Sequence, residues 1–326
     1  LNVIRKNPLK KKLNTINDKQ ISIEDLNILL DKKNIKKTFT TGKYFIDLHK
    51  KKKIKLHLNH SVKNIVQIKD KYELEIEKKN KNILLKDFDI VISCAGLIGS
   101  SYLVAKFHNE YNKKFIFYNN DIYQLCFFNK NLKMNKFNKF QFSHPLKKIK
   151  VKYKNFISEG SILPMSFLNN KILGFSKNNI IYNYFKKFLI VGNFFIDSKL
   201  SENYLKINEK GEVTVKFKKK KNSRQIITKF KNIVNNTFKK NKFFSIPYLN
   251  FKNYQIGSDS HYTSSLYFYK KKNKKILDSN CKVLDSRNFF VFDSSSIPPG
   301  MFYPTFLTML NAFFNTKKII KKYENK

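Results

Sequence analysis

Apolar residues recur along this chain with two periods, and the change from one to the other marks its elements. Residues 1–53 are polar and Lys-rich, broken by one helical pattern near Ser22–Leu30. There Ser22 stands at the cap, Glu24 and Asp25 fill the first turn, and Leu26, Leu29 and Leu30 share a face. From Ile54 the period shortens to two. Ile54, Leu56 and Leu58 alternate with polar residues, as do Val62–Ile68 and Tyr72–Ile76, predicting two or three strands with a turn at Lys69–Lys71. Phe88–Ser93 is almost continuously apolar, the pattern of a strand covered on both faces. It runs into Cys94-Ala95-Gly96-Leu97-Ile98-Gly99-Ser100 and then a helical pattern through Leu103.

Residues 106–260 alternate again, with aromatic residues prominent, at Ile122–Phe128, Ile149–Tyr153, Phe188–Ile196, Tyr204–Ile207 and Val213–Phe217. Lys210-Gly211 is a turn signal between the last two runs. The region reads as a mainly antiparallel sheet with a helix near Arg224–Lys239. Asn288–Asp293 predicts a strand, followed by a Ser/Pro/Gly loop and a helix from about Thr305 to Lys322. Phe306, Leu310, Phe313 and Ile320 would share one face of that helix, with lysines crowding its last turns.

With 326 residues, 41% of them hydrophobic, the chain can bury a sizeable core. Its formal charge of +43 would attract a polyanion or an anionic surface. Yet only Arg5, Arg224 and Arg287 carry the guanidinium fork that reads guanine edges and clamps phosphates, and Lys, Asn, Ile and Phe are inflated together. That pattern points to AT-rich coding rather than to a dedicated nucleic-acid reader. Cys94, Cys126 and Cys281 lack metal or redox spacing, which predicts reduced, mostly buried thiols in a cytoplasmic protein. No apolar run reaches the length of a membrane span, and Leu1–Leu13 has no apolar core of a signal peptide. A chain that opens on leucine in such a segment reads as a fragment.

Three segments carry candidate chemistry. A glycine directly after a buried strand, as at Ala95-Gly96, allows close approach of a ligand or another backbone, and the helix that follows favours an anion. The alternative is a plain strand-to-helix turn. His261, in Ser260-His261-Tyr262-Thr263-Ser264-Ser265, is the histidine placed amid small hydroxylic residues, where proton transfer near neutral pH becomes available. His57 and His60, in a strand, would point to opposite faces, so no metal pair is expected. Last, Asn288-Phe-Phe-Val-Phe-Asp293-Ser-Ser-Ser-Ile-Pro298 followed by Tyr303-Pro304-Thr305 delivers an acid at a strand end and then a helix whose start points back toward it.

Together these segments resemble the glucose–methanol–choline oxidoreductases. Asp293, Ser295, Pro298, Pro304 and Thr308 match that family's C-terminal signature, His261 lies where it carries its catalytic histidine, Leu277–Val283 resembles the link between the two, and Ile90–Ser100 resembles its flavin-contacting strand end. The resemblance covers residues 54–105 and 255–322, and the middle only in its strand-rich character. It implies an α/β (α+β) fold: an FAD-binding Rossmann-like domain from 54–105 and 282–326, interleaved with an antiparallel-sheet substrate domain at 106–281, behind a Lys-rich lead-in at 1–53. It implies FAD as cofactor and oxidation of an alcohol, sugar or polyol. His261 matches the base, an imidazole titrating ordinarily at about 6.5. Asp293 and Ser294 would face the ribityl chain, Pro304 and Thr305 the carbonyl edge of the ring, Ala95 and Gly96 the strand end, and Val62 the adenine. The place of the family's second catalytic residue holds Tyr303, Pro304 or Thr305, so Tyr303 and Thr305 are the candidates for a contributed hydroxyl.

The Gly-x-Gly-x-x-Gly loop that seats the pyrophosphate is missing, Gly42 being the only glycine of residues 1–53. The resemblance therefore implies a separately encoded N-terminal FAD-binding part as partner. The other readings are an inactive remnant or binding module of the same fold and a basic nucleic-acid binder.

Overall fold

The computed structural model describes residues 19–25, 41–131, 147–165, 184, 188–246, 262–267, 269–271, 274–299 and 304–324. In chain order the elements are β1 (Ile21–Asp25), α1 (Thr41–Lys50), β2 (Ser61–Ile68), β3 (Lys71–Lys78), β4 (Lys81–Phe88), β5 (Val91–Ser93) and α2 (Gly96–His108). Next come β6 (Phe115–Phe117), β7 (Ile122–Phe128), β8 (Lys147–Tyr153), β9 (Phe156–Pro164), β10 (Leu189–Ile196), β11 (Asn203–Ile207), β12 (Val213–Lys216) and α3 (Ser223–Lys240). The chain continues through β13 (Phe244–Ser245), β14 (Lys270–Lys271), β15 (Lys274–Lys275), β16 (Phe289–Val291) and α4 (Pro304–Glu324). The result is a mixed α/β protein with several antiparallel sheets.

These elements fall into two compact units, the first from residues 1–56, 121–197 and 222–255, the second from 57–120, 198–221 and 256–326. The first holds a six-stranded antiparallel sheet in the order β1-β8-β9-β10-β7-β13. Alternation divides each strand between two faces. Tyr123, Leu125 and Phe127 of β7, Ile190 and Phe194 of β10, and Ile149 and Val151 of β8 are buried on one face. α3 covers that face: its Phe230, Val234 and Phe238 are buried, Phe238 stacks on Phe127 at 4.5 Å, and Phe230 meets Tyr153 edge-on at 6.3 Å. Gly160 lets β9 and β10 close up, since a Cβ there would stand 2.2 Å from Asn193 O.

The second unit holds a three-stranded meander β2-β3-β4, a three-stranded sheet β12-β11-β6, and a parallel pair β16-β5. Their core gathers Ile65, Tyr72, Leu97, Val104, Phe115, Phe117, Leu205, Val283, Phe289 and Val291, all buried. Tyr72 ties the meander to the parallel pair, its hydroxyl donating to Gln67 at 3.0 Å and accepting from Asn288 N at 2.7 Å. The β11–β12 hairpin turns at Asn208–Glu212 with Gly211 at φ +81°, as its Lys-Gly signal predicts.

Several expectations are corrected. Ile21–Asp25 is an edge strand, not the start of a helix: Ile21 and Ile23 alternate with polar residues, and β8 supplies the antiparallel partner that a local reading lacks. Ile54–Leu58 forms no strand. His57 and His60 flank the turn at Leu58–Asn59, their rings edge-to-face at 5.2 Å. On α4, Phe313 and Ile320 are exposed, whereas Ala312, Asn315 and Ile319 face the core around Cys281, Phe290 and Phe292. The buried stripe escapes a pattern search because an asparagine sits in it. Cys126 and Cys281 are buried, while Cys94 is exposed as a residue. Residues 115–117, 203–207 and 213–216 build their own sheet within the second unit.

Candidate functional site

β5 and β16 run parallel, and both end in segments that loop toward the same point. Their sequences, Phe-Asp-Ile-Val-Ile-Ser and Asn-Phe-Phe-Val-Phe-Asp, are apolar runs that stop at a polar residue. β16 is buried throughout, but β5 is not covered on both faces by the described residues, since its Ile92 is exposed between buried Val91 and Ser93. β5 turns through Cys94-Ala95 into α2, with Gly96 at φ +76°, a conformation that favours glycine. β16 turns through Asp293 into the single turn Ser294–Ser296.

Asp293 is the hub. It is buried, and its carboxylate accepts from Gly96 N at 3.0 Å, from the Ser100 hydroxyl, from Ser295 N at 2.9 Å and from Ser295 Oγ at 2.5 Å. Ser100 and Ser93 share a further hydrogen bond of 2.7 Å. α2 has no side-chain cap of its own at Ala95, so Asp293 caps it from 197 positions away and sets a negative charge against the positive end of its dipole. The anion that the helix start attracts is thus the protein's own carboxylate.

The segment after His261 arrives at the same place. Ser264 N donates to Ser294 O at 3.0 Å, Leu266 N to Ser295 O at 3.0 Å, and Ser101 Oγ to Ser265 Oγ at 2.7 Å. Tyr262 is half-buried, with Phe117 edge-on at 5.7 Å. Asp293, Gly96 and Thr263–Leu266, remote in sequence, therefore form one hydrogen-bonded junction. His261 and Tyr303 lie outside the described residues. Pro304 and Thr305 open α4.

A cavity of about 610 Å³ lies beside this junction. Val62, Ile65 and Leu74 supply apolar wall from β2 and β3, and Ser93, Cys94 and Ala95 supply the strand end. Lys63 stands at its rim, paired with Glu77 at 2.6 Å, and that carboxylate raises the ammonium pKa above its ordinary value. Val62 and Ala95 thus share one cavity, while Asp293 and Gly96 hold its frame. Sequence reasoning missed Cys94, Gly99 and Tyr102 as lining residues. Cys94 Sγ turns inward, 3.9 Å from Phe292 O, and burial, then the charge of Asp293, push its pKa up. A Cβ at Gly99 would lie 2.8 Å from that of Ala95, so the small residues there keep α2 close to its own start.

A second cavity of about 730 Å³ lies between Leu277–Cys281, Ile297-Pro298 and α4. The buried Cys281, at φ +60°, receives Nδ2 of Asn311 at 3.3 Å and of Asn315 at 3.7 Å.

No protein-family model matches this chain, and no curated protein matches it.

Proposed function

We propose that this chain is the C-terminal part of an FAD-dependent oxidoreductase acting on CH–OH donors, organised like the glucose–methanol–choline family. The observation that supports the reading is the junction at Asp293, where the segments around Gly96 and Asp293 and the one following His261 meet through side-chain and backbone hydrogen bonds. Such convergence is what a shared site requires, and a set of unrelated turns would not need it.

The residues present fit one end of the cofactor. Val62, Ile65 and Leu74 offer an apolar slot of the kind an adenine takes, next to the Ser93–Ala95 strand end. For a pyrophosphate they offer less: the N–H of Gly96 is engaged by Asp293, and the described residues hold no glycine-rich loop opening a helix. In this reading β5, α2, β16 and α4 belong to a Rossmann-like FAD-binding domain and the six-stranded sheet to the substrate domain. Bound flavin would supply the hydride acceptor. His261 would take the hydroxyl proton of the alcohol, and Asp293 would hold Ser294 and the start of α2 at the cofactor's edge. Tyr303 or Thr305 would contribute the second polar group.

The reading also calls for a partner. The Val91 N–H donates to Asn288 O and Ser93 O accepts from Phe292 N, so the peptide groups of Ile92 point away from β16. Among the described residues no strand pairs with that edge, and Ile92 is 44% exposed. Ile98 on α2 and Met309, Phe313 and Phe314 on α4 are exposed as well. Parallel sheets are ordinarily covered on both faces. A separately encoded N-terminal part, bringing a parallel strand to β5, would complete the sheet.

The test is the visible absorbance spectrum of the chain purified alone and with any polypeptide encoded immediately upstream. Flavin bands in the joint sample alone are expected, with turnover lost in His261→Ala. Colourless protein in both preparations overturns the reading in favour of a remnant or binding module.

A further inference from the structure

The helix α1 divides its residues between two sides. Tyr44, Phe45 and Leu48 recur at helical spacing on one, and Lys43, Asp47 and Lys50 on the other. The apolar side is not put away in a core. Tyr44, Phe45 and Ile46 are 51%, 50% and 46% exposed, and Leu48 is half-buried. The rings of Tyr44 and Phe45 meet edge-on at 6.1 Å, a contact that still leaves about half of each residue in solvent.

The lysines that follow are held against the helix end by backbone hydrogen bonds. Lys51 N donates to Asp47 O at 3.1 Å, Lys52 N to His49 O at 2.9 Å and Lys53 N to Leu48 O at 3.0 Å. Leu56 N donates to His49 Nδ1 at 3.3 Å and closes the turn. With Lys43 and Lys55, Lys50–Lys53 make six exposed ammonium groups around one carboxylate, Asp47, and none of the six is ion-paired among the described residues. One or two cations complement the dipole at a helix C-terminus; four in succession exceed that need. Coding bias accounts for many lysines along this chain, but not for apolar side chains left in solvent beside them. A ten-residue helix is marginal alone in water and ordinarily gains its stability by covering its apolar face.

We infer that α1 and Lys50–Lys53 dock this chain on an anionic phospholipid bilayer, with the helix lying in the headgroup plane. The occupant must offer apolar cover and negative charge side by side. A nucleic acid supplies phosphates but nothing to cover Phe45 and Ile46. A protein groove takes one stripe of a helix, whereas Tyr44, Phe45 and Ile46 are consecutive and span about 200° of the circumference. The fluid boundary between headgroups and acyl chains accommodates side chains spread in that way, and lysine stems reach up from it to the charged layer. Lysine, a hydrated point charge, also suits the diffuse field of a headgroup layer, while the arginine fork that fits a fixed carboxylate is absent from residues 41–55. The docking is independent of the flavin reading.

The chain contains no tryptophan, so Phe45→Trp places a single emitter on the docking face. In the full chain its emission should move to the blue with mixed phosphatidylcholine–phosphatidylserine vesicles, and stay in place with phosphatidylcholine alone, heparin or polyglutamate. Lys51→Ser/Lys53→Ser should weaken sedimentation with the mixed vesicles roughly thirtyfold, about fivefold per lysine. Lys239→Ser/Lys240→Ser, the same charge change at the end of α3, should weaken it far less. Both lysine pairs are exposed, so this comparison carries the test should Phe45→Trp fail to fold. Sedimentation with vesicles while the emission stays unchanged assigns the binding to lysines elsewhere and overturns the inference. Equal losses in the two lysine pairs overturn it as well. A blue shift with heparin or polyglutamate in the absence of lipid does the same, in favour of a nucleic acid or an acidic protein.

Discussion

At the scale of single residues, Asp293 does what no local sequence rule would assign to it. Its carboxylate gathers donors from Gly96, Ser100 and Ser295, and so joins a strand end to a helix start far away along the chain. Asparagine keeps one acceptor oxygen and turns an amide N–H toward groups that already donate. Asp293→Asn should therefore cost about 3 kcal/mol, a loss in keeping with charged hydrogen bonds, measurable by urea unfolding. Cys94 provides a second readout. Its thiol is held up first by burial and then by the charge of Asp293, so Asp293→Asn removes the second cause alone. The pH midpoint for alkylation of Cys94 by iodoacetamide should fall in the variant but stay above that of a free thiol.

Among the elements, alternation predicts β7, β8 and β10 of the six-stranded sheet and β11 and β12 of the second unit, but not β9 or β13, and at β1 the local pattern predicts a helix instead. What alternation alone did not reveal is which polar residues on different strands become neighbours, because register is set by tertiary pairing. Glu159 and Lys150 meet only because β8 and β9 form a hairpin of one particular register. Beside them, in the apolar part of the same face, burial pushes the Cys126 thiol up to about 12. The unfolded chain then loses this proton first. The contribution is complete below the ordinary thiol value of 9.0 and is lost as pH rises from there toward about 12. Unfolding free energy of the wild type should consequently fall across that window more steeply than that of Cys126→Val, by up to about 1.4 kcal/mol per pH unit.

For the molecule as a whole, the charge of +43 and the edge of β5 that no described strand pairs act together. Self-association through that edge would bring two strongly basic chains into contact, and a two-fold axis would pair the edges antiparallel. An acidic polypeptide bringing a parallel strand meets neither obstacle. Ile92→Lys should leave the fold of the chain alone unchanged, since that side chain is already exposed, yet abolish co-elution in size-exclusion chromatography with the N-terminal part that the proposed function calls for. Ile116→Lys, at an equally exposed position on β6, is the control and should co-elute normally.

The sequence by itself determined the alternation of β-rich and helical stretches, the strand that ends at Gly96, the strand that ends at Asp293 and the long helices α3 and α4, because hydrophobic period and turn chemistry are local properties. The β1 strand and the buried Asn315 stripe of α4 were decided by tertiary structure, because each depends on a surface supplied by another part of the chain. The same holds for the junction at Asp293 and for the register that sets Lys148, Ser161, Asn193 and Gln124 opposite one another on β8, β9, β10 and β7. Gly96, Asp293 and Ser264-Ser265 stand out in the sequence as separate segments, but they lie tens to hundreds of positions apart, and packing alone fixes which side chains share a point in space.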